Sequence, residues 1–341
     1  MPARLGFPVK VLGQRGLKSN DARRWRSGPH LRVSIDYLHA IFTYLEKSKI
    51  RMYRMSSDVA PYVTHPDLPQ FHRQIAESRS ELAELGHRAN QMGLRLSFHP
   101  SQFIVMNAPD KELRRKSMWD LASQAEILDL MNLGSEAVLV IHVGGAYDDK
   151  NAAMKRWVAC YKELTEPARR RLVLENDDVR FSAADVLRIH DQTGVPLVFD
   201  MQHHQCLNPE RLPWRPTLER FLKTWPAGTC PKIHYSSPRT QMREAVRANP
   251  KTGKQDKVLQ PPIWTAHADY IHPFDFIRFA EETRGLNFDV MLEAKAKDLA
   301  LKRLRRDIAF YAPELGERFD AASMREMVSD VEVPLQEFDP S

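Results

Sequence analysis

Cysteine is scarce. Cys160, Cys206 and Cys230 are the only three in 341 residues, odd in number and far apart. They make neither a disulfide framework nor a zinc ribbon, which fits a reducing compartment. Long apolar runs are missing too. Nothing approaches the roughly 18 residues of a membrane span, so no membrane partner is expected. Met1 to Lys10 lacks the apolar core of a secretory signal. The expected location is therefore the cytoplasm. Internal repeats and low-complexity linkers are also absent, so one large domain is expected rather than an array.

Charge is present in quantity and unevenly placed. The formal net charge is +6. Residues 312–341 hold eight acids and two arginines, a net of −6, so the rest of the chain carries +12. We expect a barrel domain over residues 1–311 and a loosely attached acidic tail over 312–341. A basic body suits a polyanionic partner, most often nucleic acid. Two basic stretches stand out. Gln14 to His30 places Arg23, Arg24 and Arg26 around Trp25, a pattern that suits phosphate contact and base stacking and equally a solvated loop with one packing Trp. Arg239 to Pro262 carries Arg243 and several other cations, and it is the longest segment without a helical or strand pattern.

Short apolar runs recur, and each ends on a metal-type side chain. Val195 to Phe199 ends at Asp200, with His203 and His204 following. Leu94 to Phe98 ends at His99, and Ala137 to Ile141 at His142. Arg171 to Leu174 ends at Glu175, Pro231 to Ile233 at His234, and Phe288 to Leu292 at Glu293. Such runs read as buried parallel strands. Arg4 to Val9 and Ile50 to Met55 supply two more. Between them, apolar residues at helical spacing predict helices over 34–47, 71–92, 111–133, 151–164, 183–193, 217–224, 273–284 and 298–310. Eight strands alternating with helices predict an α/β fold, a (β/α)8 TIM barrel with its site at the carboxyl ends of the strands. One His or Glu after one strand is more often structural. Six at one face are far harder to reach by coincidence.

The predicted ligand set is His99, His142, Glu175, Asp200, His203, His234 and Glu293, completed by His267 and Asp269. It is too large for one ion. Histidine with carboxylate and no thiolate suits Zn²⁺, Mn²⁺ or Fe²⁺. Clustered divalent ions activate water and clamp the oxygens of a displacement at phosphorus. With a basic body, phosphodiester hydrolysis is the natural reading.

Several motifs resemble the UV-damage endonuclease family: Tyr53-Arg54-Met55-Ser56-Ser57-Asp58, His99-Pro100-Ser101-Gln102-Phe103, Ile141-His142-Val143-Gly144-Gly145-Ala146-Tyr147, Leu174-Glu175-Asn176-Asp177, Asp200-Met201-Gln202-His203-His204, Lys232-Ile233-His234 and Glu293-Ala294-Lys295. The resemblance runs from about Arg4 to about Lys297. It implies a metal-dependent barrel related to endonuclease IV, acting on damaged double-stranded DNA as a monomer and nicking immediately 5′ to UV photoproducts (cyclobutane dimers and 6-4 photoproducts). It implies two or three divalent ions, Mn²⁺ foremost, with Zn²⁺ or Co²⁺ as other choices. His99, His142 and Glu175 would hold one ion, and Glu175, Asp200, His234 and Glu293 a second. His203, His267 and Asp269 would hold a third. Glu175, Lys232 and His234 would serve catalysis, with Lys232 either touching the scissile phosphate or chemically modified. Gln102 and Phe103 would wedge into the duplex at the lesion. Arg23, Arg24 and Arg243 would contact the DNA backbone. Relatives can carry a Tyr and an Asn after the first strand. Phe7-Pro8-Val9-Lys10-Val11 has neither, so the lesion pocket is expected to differ.

Three other readings share the barrel. An abasic-site endonuclease of the endonuclease IV type would keep the metal residues and change the lesion. A metal-dependent sugar isomerase predicts a neutral or acidic mouth, against the basic segments near Arg23 and Arg243. A non-catalytic DNA-binding barrel would be expected to have lost ligands, and none is missing.

Overall fold

A computed structural model describes residues 2–147, 149–249 and 252–321. Eight parallel strands form the barrel: β1 Leu5–Pro8, β2 Met52–Arg54, β3 Arg95–Phe98, β4 Val138–Ile141, β5 Leu172–Glu175, β6 Leu197–Val198, β7 Lys232–Tyr235 and, after a hairpin (β8 Arg243–Ala248, β9 Gln255–Gln260), β10 Asp289–Leu292. The paired order runs β6-β5-β4-β3-β2-β1-β10-β7. Asp200 and His234 bridge the last gap, and the His234 N–H donates to Phe199 O at 3.0 Å. Two predicted site residues thus flank the hydrogen bond that draws the barrel closed.

The outer layer consists of α1 Leu31–Lys47, α2 Gln74–Glu77, α3 Arg79–Gln91, α4 Lys111–Leu130, α5 Lys150–Glu163, α6 Glu166–Arg171, α7 Ala183–Thr193, α8 Met201–Cys206, α9 Trp214–Leu222, α10 Pro273–Glu282 and α11 Lys297–Tyr311. Their local chemistry explains several ends. Asp110 and Asp149 cap α4 and α5 with side-chain oxygens. Ser182 and Asp185 make a reciprocal capping box on α7, and Gly194 ends that helix in the left-handed conformation. The helix predicted over 71–92 is two helices. Ser78, at φ −109° and ψ 20°, interrupts it.

Period-two alternation divides the strand residues into two apolar compartments. Side chains such as Leu96, Leu139, Leu174 and Ile233 face the helices in the main core. Val138, Val140, Val173 and Val198 form a separate cluster with Trp225 inside the barrel. Gly6 serves the interior packing, since a Cβ there would lie 2.6 Å from Met52 Cγ. The amino-terminal end is plugged by charge. Arg95, fully buried, donates to Asp289 at 2.8 Å, and Arg4 links Asp289 (3.0 Å) to Glu136 (2.7 Å).

Two expectations change. Packing does not stop at residue 311: Leu315, Phe319 and Ala321 are buried in the main core, and the Ala3 N–H donates to Arg318 O at 2.7 Å. The acidic run beyond residue 321 lies outside the described residues. The patternless segment after Arg239 is largely the antiparallel β8–β9 hairpin. Its outer residues bury little, with Val246 and Leu259 each 61% exposed, so no core-facing alternation marked it in the sequence.

Candidate metal centre

The i, i+2 spacing that lines the barrel also builds the site. Ser97, Val173, Val198 and Lys232 point inward, and two residues further on His99, Glu175, Asp200 and His234 form the next layer toward the carboxyl end. Glu175 is the hub. Its Oε1 lies 2.8 Å from His234 Nδ1 and 3.5 Å from His203 Nδ1. Its Oε2 lies 3.1 Å from His99 Nε2 and 3.6 Å from His142 Nε2. Burial alone would raise the Glu175 carboxyl, but His234 and His142 outweigh it and hold the group well below the carboxylate range.

Asp200 caps α8. Its Oδ1 accepts from the His203 N–H at 2.8 Å, which fixes where that ring stands. Asn176, missed in the sequence although it directly follows Glu175, ties the two together. Its Oδ1 accepts from Asp200 N at 2.9 Å, and its carbonyl faces His203 Nδ1 at 3.0 Å. Burial works against a charged His203, but Asp200, Glu175 and Glu293 push its pKa up to about 9. Arg54, also missed, pairs with Glu293. Burial opposes ionisation of Glu293, while Arg54 and His234 hold it well below its ordinary range. Gly144, at φ +111°, turns the chain after His142, and a Cβ there would lie 2.5 Å from Asn107 Oδ1.

Three groups bring their donor atoms within 4.8 Å of one another: His99, His142 and Glu175; Glu175, Asp200 and His203; Asp200, His234 and Glu293. Asp200 Oδ2, His234 Nε2 and His142 Nδ1 are buried and have no hydrogen-bond partner. Lone pairs withdrawn from water and left unused are costly in an apolar interior. The donor set of histidine and carboxylate fits divalent cations.

The remaining predicted residues are placed less uniformly. The His267 ring centroid stands 6.0 Å from that of His203, and His267 Nδ1 lies 3.7 Å from Glu293. Asp269 stands apart, about two-fifths exposed and 3.3 Å from Arg243. Lys232 has no exposure and donates from Nζ to Ser97 Oγ at 3.0 Å, one layer behind the ligands. Burial, with Arg95 and Arg54 adding to it, pushes its ammonium far down from the usual lysine value. A direct contact between Lys232 and a scissile phosphate is not available from that position. Gln102 and Phe103 lie on the exposed loop after β3, with Phe103 74% exposed, so Phe103 is not a core residue. Arg23 and Arg24 are both exposed, and Arg23 is tied to buried Asp21 at 2.6 Å.

The same arrangement has known counterparts. The model of the family described as UV-endonuclease UvdE matches residues 32–315. The chain belongs to the UV-endonuclease family. A UV DNA damage endonuclease of Bacillus velezensis is 34% identical over 270 residues, covering 78% of this chain and 77% of the relative. Among solved structures, SacUVDE superposes with a TM-score of 0.74 at 27% identity, covering 92% of this chain and 99% of that one. Endonuclease IV from Thermus thermophilus shares the fold, with a TM-score of 0.54 at 14% identity over 89% of this chain and 98% of that one. The family and this Bacillus relative are UV DNA damage endonucleases. Among the described residues no helix is long and apolar enough to cross a membrane.

Proposed function

We propose that this chain nicks the DNA backbone immediately 5′ to UV photoproducts by hydrolysis that depends on two or three divalent ions, Mn²⁺ foremost. The observation that carries this reading is the set of three histidine–carboxylate groups whose donor atoms lie within 4.8 Å of one another around the Glu175 hub, with Asp200 Oδ2 buried and without a hydrogen-bond partner. Family membership and the exposed Gln102-Phe103 pair support the substrate. Divalent ions bound there would supply an activated water and neutralise charge on the phosphate oxygens.

The chain's own residues do the rest. Glu175 stays ionised and shares its two oxygens between two pairs of histidines, so it orients four rings at once. Asp200, fixed through Oδ1 by the α8 cap, keeps Oδ2 for an ion. Asn176 aims His203. Arg54 holds Glu293 charged. Lys232, whose ammonium burial disfavours, acts behind the ligands as a positioning residue through Ser97. Phe103 offers a ring to stack where a damaged dinucleotide has left the duplex, and Gln102 can reach base edges. In the hydrolysis, an oxygen from water bonds to phosphorus, the bond to the leaving nucleotide oxygen breaks, and that oxygen leaves with a proton. We further propose that the enzyme works as a monomer in the cytoplasm and that Arg24 contacts the backbone.

The test is a nicking assay with Mn²⁺ on three otherwise identical duplexes carrying a cyclobutane dimer, an abasic site or no damage. A cut just 5′ to the dimer is expected, with little on the undamaged strand. Cutting only at the abasic site would keep the metal site and overturn the lesion assignment. No cut on any duplex would overturn the nuclease reading.

A further inference from the structure

We propose that Arg239, at the root of the hairpin, grips one backbone phosphate of the DNA beside the metal-ligand cluster, with Lys295 and Arg243 completing the anion site. This rests on the DNA-nicking reading and names how that site holds its substrate.

Arg239 is 6% exposed, and its Nε and Nη2 are covered and hydrogen-bond to nothing. No carboxylate pairs with it among the described residues. The other three buried arginines each make side-chain hydrogen bonds, although Arg95 Nη2 and Arg305 Nε are left without a partner. Arg95 meets Asp289, Arg171 meets Asp129 and three carbonyls, and Arg305 meets the carbonyls of Ser48 and Lys49. A buried cation without a counter-charge is strongly unfavourable. Such a group is stable only where an anion or water completes it, and the surroundings of Arg239 point to an anion.

Backbone pairing fixes those surroundings. The Arg239 N–H donates to Ala266 O at 2.8 Å, and Pro238 bridges His267. On the other side of the same segment, the Lys295 N–H donates to Ala268 O at 3.0 Å. Arg239 and Lys295 therefore flank the stretch that carries His267 and Asp269, and Lys295 lies two residues past Glu293. Lys295 is exposed. Arg239 and Arg243 both repel its ammonium, and Asp269 alone attracts it. Asp269 is already engaged by Arg243. Three cations thus lie near one half-exposed carboxylate on the rim of the metal centre, and only Arg243 pairs with it. Nη1, the Arg239 nitrogen that is not covered, is open to solvent and can donate to a phosphate oxygen. The planar guanidinium then offers a second N–H to the same group after a small side-chain shift.

The experiment is a single-phosphate scan. Duplexes carry one cyclobutane dimer and one neutral methylphosphonate, moved phosphate by phosphate on both strands around the incision. Incision by wild type, Arg239→Ala and Arg239→Lys is measured with Mn²⁺. In wild type, one methylphosphonate position away from the scissile bond should lower kcat/KM about tenfold or more, in the range of a charged hydrogen bond. Arg239→Ala should lose a similar factor on unmodified DNA, through KM rather than kcat, and become indifferent to that one position. Arg239→Lys should keep part of the sensitivity. Binding by Arg239→Ala should also show a salt slope smaller by about 0.9. The same response of wild type and Arg239→Ala to every position would overturn the proposal. If Arg239→Ala does not fold, Lys295→Ala, at an exposed position, takes its place in the scan. Reduced sensitivity at that one phosphate then supports the anion site, and an unchanged response at every position overturns it. If wild type binds and cuts no duplex at all, the DNA reading itself fails, an outcome distinct from an unmoved scan.

Discussion

Asp200 divides its oxygens around His203. Oδ1 accepts the His203 N–H at 2.8 Å, while the second oxygen, Oδ2, is buried without a hydrogen-bond partner and lies 3.8 Å from His203 Nδ1. The first oxygen serves the fold and the second is free for an ion.

The separation predicts what Asp200→Asn will do. Asparagine keeps the cap, so the metal-free protein should melt within a few degrees of wild type. It removes one ionic ligand, so Mn²⁺ should raise the melting temperature less than it does in wild type. Wild type should gain about 2.7 kcal/mol at a metal concentration a hundred times its Kd. Calorimetry with and without Mn²⁺ checks both statements. Equal stabilisation of both proteins would remove Asp200 from the ligand set.

Glu175→Gln separates chemistry from binding. The substitution is nearly isosteric but loses the charge shared among His99, His142, His203 and His234. Nicking should fall roughly a hundredfold or more, while DNA affinity in chelator should stay within about threefold. Single-turnover incision beside a filter-binding titration gives the two numbers. Full activity would exclude Glu175 from the metal centre.

Phe103 is 74% exposed, so truncating it removes little packing. Phe103→Ala should leave stability within about 0.5 kcal/mol. Its effect should appear in the ratio of affinities for damaged and intact duplex, expected to fall by about tenfold as a stacking contact of ~1–3 kcal/mol is lost. An unchanged ratio would exclude a wedge role.

Val9 carries backbone strain at the mouth of the barrel. Its φ is 63°, a conformation that a β-branched residue adopts only at a cost of ~1–3 kcal/mol. The position is held by Val9 N–H to Arg54 O at 2.8 Å and by the Tyr53 hydroxyl to Val9 O at 2.5 Å. Val9→Gly should relieve the strain, less the ~0.5–1 kcal/mol that glycine loses in chain entropy. Urea denaturation should therefore show a net gain of roughly 1 kcal/mol. A net loss would mean that the valine packs better than its backbone suggests.

The strand ends were legible because a buried parallel strand writes a short apolar run, and a polar ligand at its end interrupts that run at one fixed face. His99, His142, Glu175, Asp200, His234 and Glu293 were all marked this way. The longer helices were legible through their 3.6-residue spacing, apart from the break at Ser78, which no Gly or Pro announced; the six-residue α6 and α8 were not, being too short to show a period. The hairpin was not legible, because Val246 and Leu259 face solvent and carry no burial pattern.

By itself, then, the sequence determined the alternation of strands and helices and the chemistry at the barrel mouth, since both follow from local periodicity and residue type. Only the tertiary structure decided which of those side chains come together into candidate ion sites. His203 joins Glu175 and Asp200 because a cap and Asn176 aim it there, and Asp269 turns to Arg243. It also decided that Lys232 lies behind the ligands and that Arg239 is buried without a counter-charge. Those outcomes depend on which groups meet across the barrel after it closes, between residues far apart in the chain, and local pattern carries no record of them.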